Sequence, residues 1–408
     1  MKNKNEGIII ILFILLALST SCTKNNETIN IPNEPLTSEE KIQDFEYMYN
    51  ILKDNYAFFW VNERMYNIDW LSNKDEYTQR IKNTNTDEEF IQELNNILGD
   101  LNNGHTNVIS LNKFEWYYSI YGAKNSWKGN KPWGKILNEP LVLNRYKFDK
   151  SKKKVIESGQ YGASSEPAFT KKILIPEKVA YLGITSMDGN RIEEDGKLIK
   201  EFYKEIKDYE KLIIDIRNNG GGNDYYWKRN VIEPLARETI SVDNYIFTRG
   251  DYSKIFYKAR GIRLKNIENL DKKLIAKMPD EIDKFDNYYI SNISIKPKDP
   301  INFKGKIYLL VNNGVYSSSE GFASFCKTSG FATLVGETTG GDGIGIDPLL
   351  FSLPNSGYVI RFASLLGLDG NFNINDEIKT IPDIIIDNPV QLMHIPETDK
   401  AIQYVINN

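Results

Sequence analysis

Hydrophobic positions recur along this chain in three rhythms, and each predicts a different kind of element. The first is an unbroken apolar run, Ile8 to Leu18, preceded by Lys2 and Lys4 and followed by Ser19-Thr20-Ser21-Cys22. Spanning a bilayer takes about 20 apolar residues, and this run is much shorter. A basic start, a short greasy segment and small residues before a cut site describe a secretory signal peptide over residues 1–21. From Thr37 the rhythm becomes helical. Thr37-Ser38-Glu39-Glu40 is a capping box, and Ile42, Phe45, Tyr49 and Leu52 recur on one face. A short second helix is predicted over Asp75 to Ile81. A third opens on Thr86 and Glu89, another capping box, and lines up Phe90, Leu94, Ile97, Leu98 and Leu101. Asn103-Gly104 is expected to stop it as a left-handed cap, and His105 follows at once. Residues 37–105 thus predict a helical cap.

The third rhythm is that of buried strands. Residues 106–177 are rich in Tyr, Trp, Lys and Asn, show no clear period, and read as an irregular connecting region. From Lys178 strands and helices alternate: strand Val179–Ile184, helix Ile192 to Tyr209, and strand Leu212–Ile216 running into Gly220-Gly221-Gly222. A polar stretch, 240–300, reads as an irregular insertion. Strand Lys306 to Val311, a helix to about Thr328 and strand Ala332–Val335 follow. A loop over Thr338–Gly343 and strands near Tyr358–Ala363 and Ile384–Ile386 complete the pattern. Alternation with short connections predicts an α/β layered core over residues 178–408.

Composition narrows the class. At 41% hydrophobic residues, the chain beyond residue 36 can bury a core of its own, as a main domain and a smaller one. The net charge is −4 and no long basic run occurs, which argues against nucleic acid as a partner. Cys22 and Cys326 are the only thiols, so no disulfide framework is available once a leader is removed; Cys326 reads as a small core residue. No metal-ligand spacing and no cofactor signature is visible. Leu18-Ser19-Thr20-Ser21-Cys22 resembles a bacterial lipobox, relaxed in that its large residue stands four places before the cysteine. The resemblance implies cleavage before Cys22, lipidation of its thiol and a polar tether over 22–36. The expectation is a lipid-anchored protein of the bacterial cell envelope, facing the periplasm or the cell surface.

Candidate chemistry begins with Ser317-Ser318-Ser319-Glu320, which follows strand Lys306–Val311 at the mouth of a helix. Backbone N–H groups and the helix dipole there favour developing negative charge, so a hydroxyl could serve as a nucleophile. Ser317 with Glu320 equally reads as a capping box. Gly220-Gly221-Gly222 ends a buried strand and lets the backbone approach something closely. An oxyanion hole, a phosphate cradle and a plain wide turn all meet that description, although no lysine-containing phosphate loop follows. Asp215 reads as a strand-end carboxylate holding the glycine turn. The chain has only two histidines, His105 and His394, and the second reads as structural.

Leu212-Ile213-Ile214-Asp215-Ile216-Arg217-Asn218-Asn219-Gly220-Gly221-Gly222, then Ser317-Ser318-Ser319-Glu320, then Gly336-Glu337-Thr338-Thr339-Gly340-Gly341 resemble, in order and separation, the C-terminal-processing and tricorn-core serine peptidases. Leu101-Asn102-Asn103-Gly104-His105-Thr106 resembles the segment joining that family's helical cap to its core, and Pro382-Asp383-Ile384 its closing motif. The resemblance covers most of residues 38–405 and is weakest over 110–175 and 240–300. It implies a crotonase-like α/β core beside a helical-bundle cap, with the site between them, acting on a peptide or protein substrate. The Gly-Leu-Gly stretch of a carboxylate-binding PDZ domain is missing between His105 and Lys178, so no clear PDZ domain is expected.

The resemblance also assigns roles. In the processing branch a lysine lies 25 residues after the nucleophile; here that place holds Asp342, within Gly341-Asp342-Gly343. In the tricorn-like branch a histidine at the cap boundary is the base, and His105 occupies its position. Ser317 is then the nucleophile and His105 its general base, since an imidazole with a pKa of about 6.5 can take and return a proton near neutrality. Gly220 or Gly221, with Ser318, would supply the oxyanion hole. The family's assisting Glu lies six residues before the closing proline, where this chain has Asp376, with Glu377 beside it. Gly104 stands where tricorn has a serine that orients the histidine, leaving Thr106 as a candidate orienter. The alternative is a non-catalytic lipoprotein binding an apolar ligand or peptide on the same scaffold, since retinoid-carrying relatives exist and fold alone does not establish hydrolysis.

Overall fold

Both predicted capping boxes initiate helices. In the computed structural model, which describes residues 35–124, 126–150, 166–386 and 398–408, the Thr37 hydroxyl accepts from the Glu40 N–H at 3.2 Å while the Glu40 carboxylate accepts from the Thr37 N–H at 2.8 Å. Two orphan donors of the first turn are thereby satisfied. Helix α1 (Ser38–Asn55) is followed by α2 (Phe59–Tyr66), α3 (Lys74–Lys82) and α4 (Asp87–Gly99). They close on an aromatic core in which Trp70 stacks against Tyr49 and Phe59 and donates its indole N–H to the Ile97 carbonyl at 2.8 Å. The predicted stop at Asn103-Gly104 is corrected: α4 ends at Gly99, and the left-handed residue is Asn102, with φ 51°. Gly104 is not in that conformation, so its lack of a side chain needs another reason.

The strands, in chain order, are β1 (Asn107–Val108), β2 (Phe169–Ile175), β3 (Val179–Ile184), β4 (Lys211–Asp215), β5 (Ile240–Thr248), β6 (Lys265–Asn266), β7 (Asn287–Ile295), β8 (Lys306–Val311), β9 (Thr333–Gly336), β10 (Leu349–Ser352), β11 (Val359–Phe362), β12 (Leu365–Leu368) and β13 (Ile384–Ile385). Six of them form the central sheet in the order β13-β9-β8-β4-β3-β2, parallel except for the β2–β3 pair. A mostly parallel sheet must be covered on both faces. On one face Phe322, Ala323, Phe325 and Cys326 of the Ser318–Ser329 helix pack with Leu212, Ile214 and Leu309. On the other, Ala401, Ile402 and Val405 of the C-terminal helix pack with Tyr181, Ile213, Leu310 and Val335. The molecule is thus mixed α/β with a helical N-terminal region.

Two stretches read as irregular are not. Within 240–300, β5 and β7 pair antiparallel over nine residues, from Ile240 opposite Ile295 to Thr248 opposite Asn287, in a second sheet ordered β12-β5-β7-β6. Within 106–177, helices Leu111–Tyr117, Lys131–Leu137 and Pro140–Arg145 place Phe114, Trp133 and Tyr146 in the same core as the cap. The third sheet, β1-β11-β10, matters most for function. Directly after His105, Asn107 and Val108 pair with Arg361 and Ile360 of β11. Ile8–Leu18, Cys22 and His394 lie outside the described residues. No described helix is long and apolar enough to cross a membrane.

Candidate active site

Three loops at the ends of β4, β8 and β9 meet where the chain leaves the cap. The first, after β4, is anchored by charge. Arg217 is buried with Asp215 and Asp399, donating to the former at 3.0 and 2.6 Å and to the latter at 2.7 Å. Tyr181 adds its hydroxyl to Asp215 at 2.9 Å. Asp215 therefore holds the loop, as its sequence position suggests. Asn219, fully buried, then ties the loop to the serine segment: its side chain donates to the Ile184 carbonyl at 2.9 Å and accepts from Ser319 Oγ at 2.7 Å. Its backbone carbonyl accepts from Tyr316 N at 3.2 Å. Nothing in the sequence singled out Asn219, because its partners are distant in the chain.

The second loop carries the serines. Ser317 occupies the N-cap position of the Ser318–Ser329 helix with φ 59° and ψ −125°, a strained conformation for a residue with a side chain. It makes no capping bond with its side chain. Glu320 does not complete a box either; its carboxylate accepts instead from Asn375 at 2.8 Å and Thr380 at 2.7 Å. The capping-box reading of Ser317 is thereby excluded, and its half-buried hydroxyl is available for other chemistry. Gly221, at φ +100°, lies directly against this turn. A Cβ there would stand 2.7 Å from the Tyr316 carbonyl oxygen, 2.8 Å from Ser318 N and 2.9 Å from Ser317 Cβ. Gly221 is thus a place where one backbone passes close to another, as is Gly222, where a Cβ would stand 2.2 Å from the Met187 carbonyl oxygen.

Of the candidate oxyanion donors, Gly221 N–H is already engaged, donating to Asn219 Oδ1 at 3.0 Å. Gly220 is exposed, and no acceptor for its N–H occurs among the described residues. Ser318, as the first residue of its helix, has an N–H without an intrahelical acceptor. Gly220 and Ser318 are accordingly the pair with free donors.

The third loop runs beside the second: Ser317 N donates to the Gly341 carbonyl at 3.3 Å, and Gly340 N to the Val315 carbonyl at 2.7 Å. This parallel course brings Asp342 to His105. Its Oδ2 lies 2.5 Å from His105 Nδ1 and accepts the Tyr316 hydroxyl at 2.7 Å. The imidazole is 10% exposed and its ring lies 4.9 Å from that of Tyr316. Burial by itself would raise the Asp342 carboxyl, but His105, the Tyr316 hydroxyl and Arg361 together hold it below the ordinary carboxylate range.

The carboxylate that meets His105 is thus Asp342, not Asp376 or Glu377. Glu377 is taken by Arg64 of the cap in a two-pronged pair at 2.7 and 2.6 Å. Asp376 lies nearby, and burial together with the charges of Asp342 and Glu320 pushes its carboxyl well above the usual value. Thr106 does not orient the ring: its hydroxyl bonds Asn103 at 3.2 Å and accepts from Ala363 N at 3.2 Å. The signal for Asp342 was present as the departure from lysine 25 residues after Ser317, but a single chain does not show what faces it. Beside the loops, a pocket of about 460 Å³, counted to its open mouth, is walled by Tyr56, Phe58, Val61 and Met65 of the cap and reaches Tyr316 and Asp376.

Comparison with known proteins gives the family. Residues 178–386, just over half of the chain, match Peptidase family S41. The chain belongs to peptidase family S41. Residues 37–99 of this S41 member match the Tricorn protease C1 domain. No curated protein matches significantly. Among solved structures, a candidate peptidase from Parabacteroides merdae ATCC 43184 is 21% identical, with a TM-score of 0.54, over 85% of this chain and 89% of that one. Mature CPAF is 14% identical, with a TM-score of 0.55, over 85% and 92%. These likenesses concern the fold. Membership of family S41 makes the chain a peptidase of the serine type.

Proposed function

We propose that this S41 peptidase cleaves peptide or protein substrates through an acyl-enzyme, with Ser317 as nucleophile, His105 as general base and Asp342 as the acid behind it. His105 Nε2 takes the Ser317 hydroxyl proton as Oγ attacks the scissile carbonyl carbon. The oxyanion is held by the N–H groups of Gly220 and Ser318, each such donor contributing about 2.7–4 kcal/mol of transition-state stabilisation. The C–N bond breaks as His105 returns the proton to the leaving amine, and water then hydrolyses the acyl ester by the same route. Asp342 stays ionised and accepts a hydrogen bond from Nδ1–H, fixing the tautomer and offsetting the charge of the imidazolium. The observation carrying this reading is the 2.5 Å contact of His105 with Asp342, on a loop hydrogen-bonded to the strained Ser317 turn. A binding protein would need neither the strained serine nor the paired imidazole.

A fluorophosphonate probe, followed by peptide mass spectrometry, tests the mechanism. An adduct on Ser317 that is lost in His105→Ala supports it. A folded protein that takes no label favours the binding-protein alternative. For location, the reading is a bacterial lipoprotein anchored through Cys22, supported by the basic, apolar and lipobox-like order of residues 2–22. A diacylglyceryl mass on Cys22, and release of a Cys22→Ser variant from the membrane fraction, are the expected results.

A further inference from the structure

Gly104 lies in the Asn103–Thr106 turn, closed by Thr106 N on the Asn103 carbonyl at 3.0 Å, but it is not left-handed, so the turn itself does not require glycine; the left-handed residue after α4 is Asn102. What the absent side chain leaves room for is Tyr316. A Cβ on residue 104 would stand 3.0 Å from the Tyr316 hydroxyl oxygen, 3.3 Å from Cζ and 3.6 Å from Cε1. That hydroxyl donates at 2.7 Å to the same Asp342 oxygen, Oδ2, that receives His105 Nδ1 at 2.5 Å. The phenol ring at the same time lies against the imidazole, 4.9 Å between centroids. Tyr316 also precedes the nucleophile, its N–H held by Asn219. One side chain therefore touches the acid and the base and is covalently next to the serine.

We infer that Tyr316 is a positioning residue, its hydroxyl fixing Asp342 on His105, and that Gly104 is glycine in order to admit that hydroxyl. The inference rests on the Ser317–His105–Asp342 reading for its catalytic consequence but not for its geometry. Asp342 sits on a loop at φ 59°, and the other donor to Oδ2 is Asn103 at a long 3.4 Å. Without the phenol the carboxylate is free to turn away from the imidazole. Burial and the neighbouring Asp342 charge push the phenol's own ionisation upward, so it remains a donor throughout the neutral range. A merely packed ring would serve equally well as phenylalanine.

The test is a cycle of Tyr316→Phe, Gly104→Ala and the double variant in the full chain, read in two ways. The first is the labelling or peptidase rate. Loss of a hydrogen bond to a charged group should lower kcat about 10- to 100-fold with KM nearly unchanged. Gly104→Ala should lower it in the same way, and the double variant should be no worse than Tyr316→Phe, because the atom that the new methyl meets first is gone. The second is the downfield Nδ1 proton resonance of His105, assigned in a His394→Gln background; it should weaken or move upfield in each variant by the same pattern. An unchanged resonance and rate in Tyr316→Phe would overturn the proposal, as would additive effects in the double variant. If the wild-type chain takes no label yet the resonance responds as described, the positioning role stands and the peptidase mechanism falls.

Discussion

Adjacent glycines in the 220–222 run should respond very unequally to one added methyl group. At Gly221 the backbone has φ +100°, and an alanine Cβ would lie 2.7 to 2.9 Å from the Tyr316 carbonyl oxygen, Ser318 N and Ser317 Cβ. Ordinary contact begins at 3.4 Å, so the overlap is 0.5 Å or more at each of three atoms. All three belong to the serine turn, and none is the end of a side chain that could swing aside. A non-glycine residue in the left-handed region costs about 1–2 kcal/mol, and forcing an extra methyl into a filled space costs about 1–3 kcal/mol. Gly221→Ala should therefore unfold about 2–5 kcal/mol more easily, if the two add. It should also push Ser318 N–H away from its place, and loss of one oxyanion donor lowers turnover about 10²- to 10³-fold. At Gly220 a methyl group meets nothing within 4 Å, and the residue is exposed. Gly220→Ala should keep its stability to within about 0.5 kcal/mol. Thermal unfolding and the rate of fluorophosphonate labelling measure both. Wild-type labelling in Gly221→Ala, or a greater loss of stability in Gly220→Ala, would refute the assignment of Gly221 to close backbone approach.

Three other expectations follow from the same geometry. Asp342→Asn keeps the shape but not the charge facing His105, and should slow labelling about 10²- to 10⁴-fold with little change in melting temperature. The Asp376 carboxyl is raised in the folded protein by burial and by Asp342 and Glu320, so the native state holds its proton more tightly than the unfolded chain. The wild type therefore loses stability as pH climbs above the ordinary value of 3.8; Asp376→Asn should melt like wild type near about pH 4 and at an increasingly higher temperature than wild type as the pH rises from there. Arg217→Leu would leave Asp215 and Asp399 buried without their cation, and calorimetry should find it destabilised by about 3–5 kcal/mol.

Local chemistry explains what could be read in advance. The capping boxes at Thr37 and Thr86 are rules of four residues: the first forms in full, and at the second Thr86 Oγ accepts from Glu89 N at 3.1 Å while the Glu89 carboxylate takes the N–H of Asn85, one residue earlier, at 2.6 Å. The apolar strands β3, β4 and β8 declare themselves by composition because both their faces are buried. β5 and β7 were missed because one face of each is wet and their alternation is broken by Asn244 and its cross-strand partner Ser291. The clue was the pairing of Ile240 and Val242 with Ile295 and Ile293. At the site, Ser317, His105 and the glycines could be found from motif order. Their partners Asp342, Asn219 and Tyr316 could not, since each acts through a contact between segments that only folding brings together. The position of Asp342 was noticed for what it lacks, a lysine amine, whereas its carboxylate is what meets the imidazole.

The two-residue strand β1 has a mechanical consequence. By chain position His105 belongs to the end of the cap, but two residues later Asn107 and Val108 are zipped to β11, and Thr106 Oγ receives Ala363 N at 3.2 Å. The imidazole is therefore referenced to the sheet as well as to the cap, because Val108 N also donates to the Asn95 side chain of α4 at 3.2 Å. A displacement of α4 would reach His105 through Val108 and be resisted by β11, so the two attachments share the task of fixing the ring. β1 thus works as a rivet between cap and sheet, with the histidine at its edge.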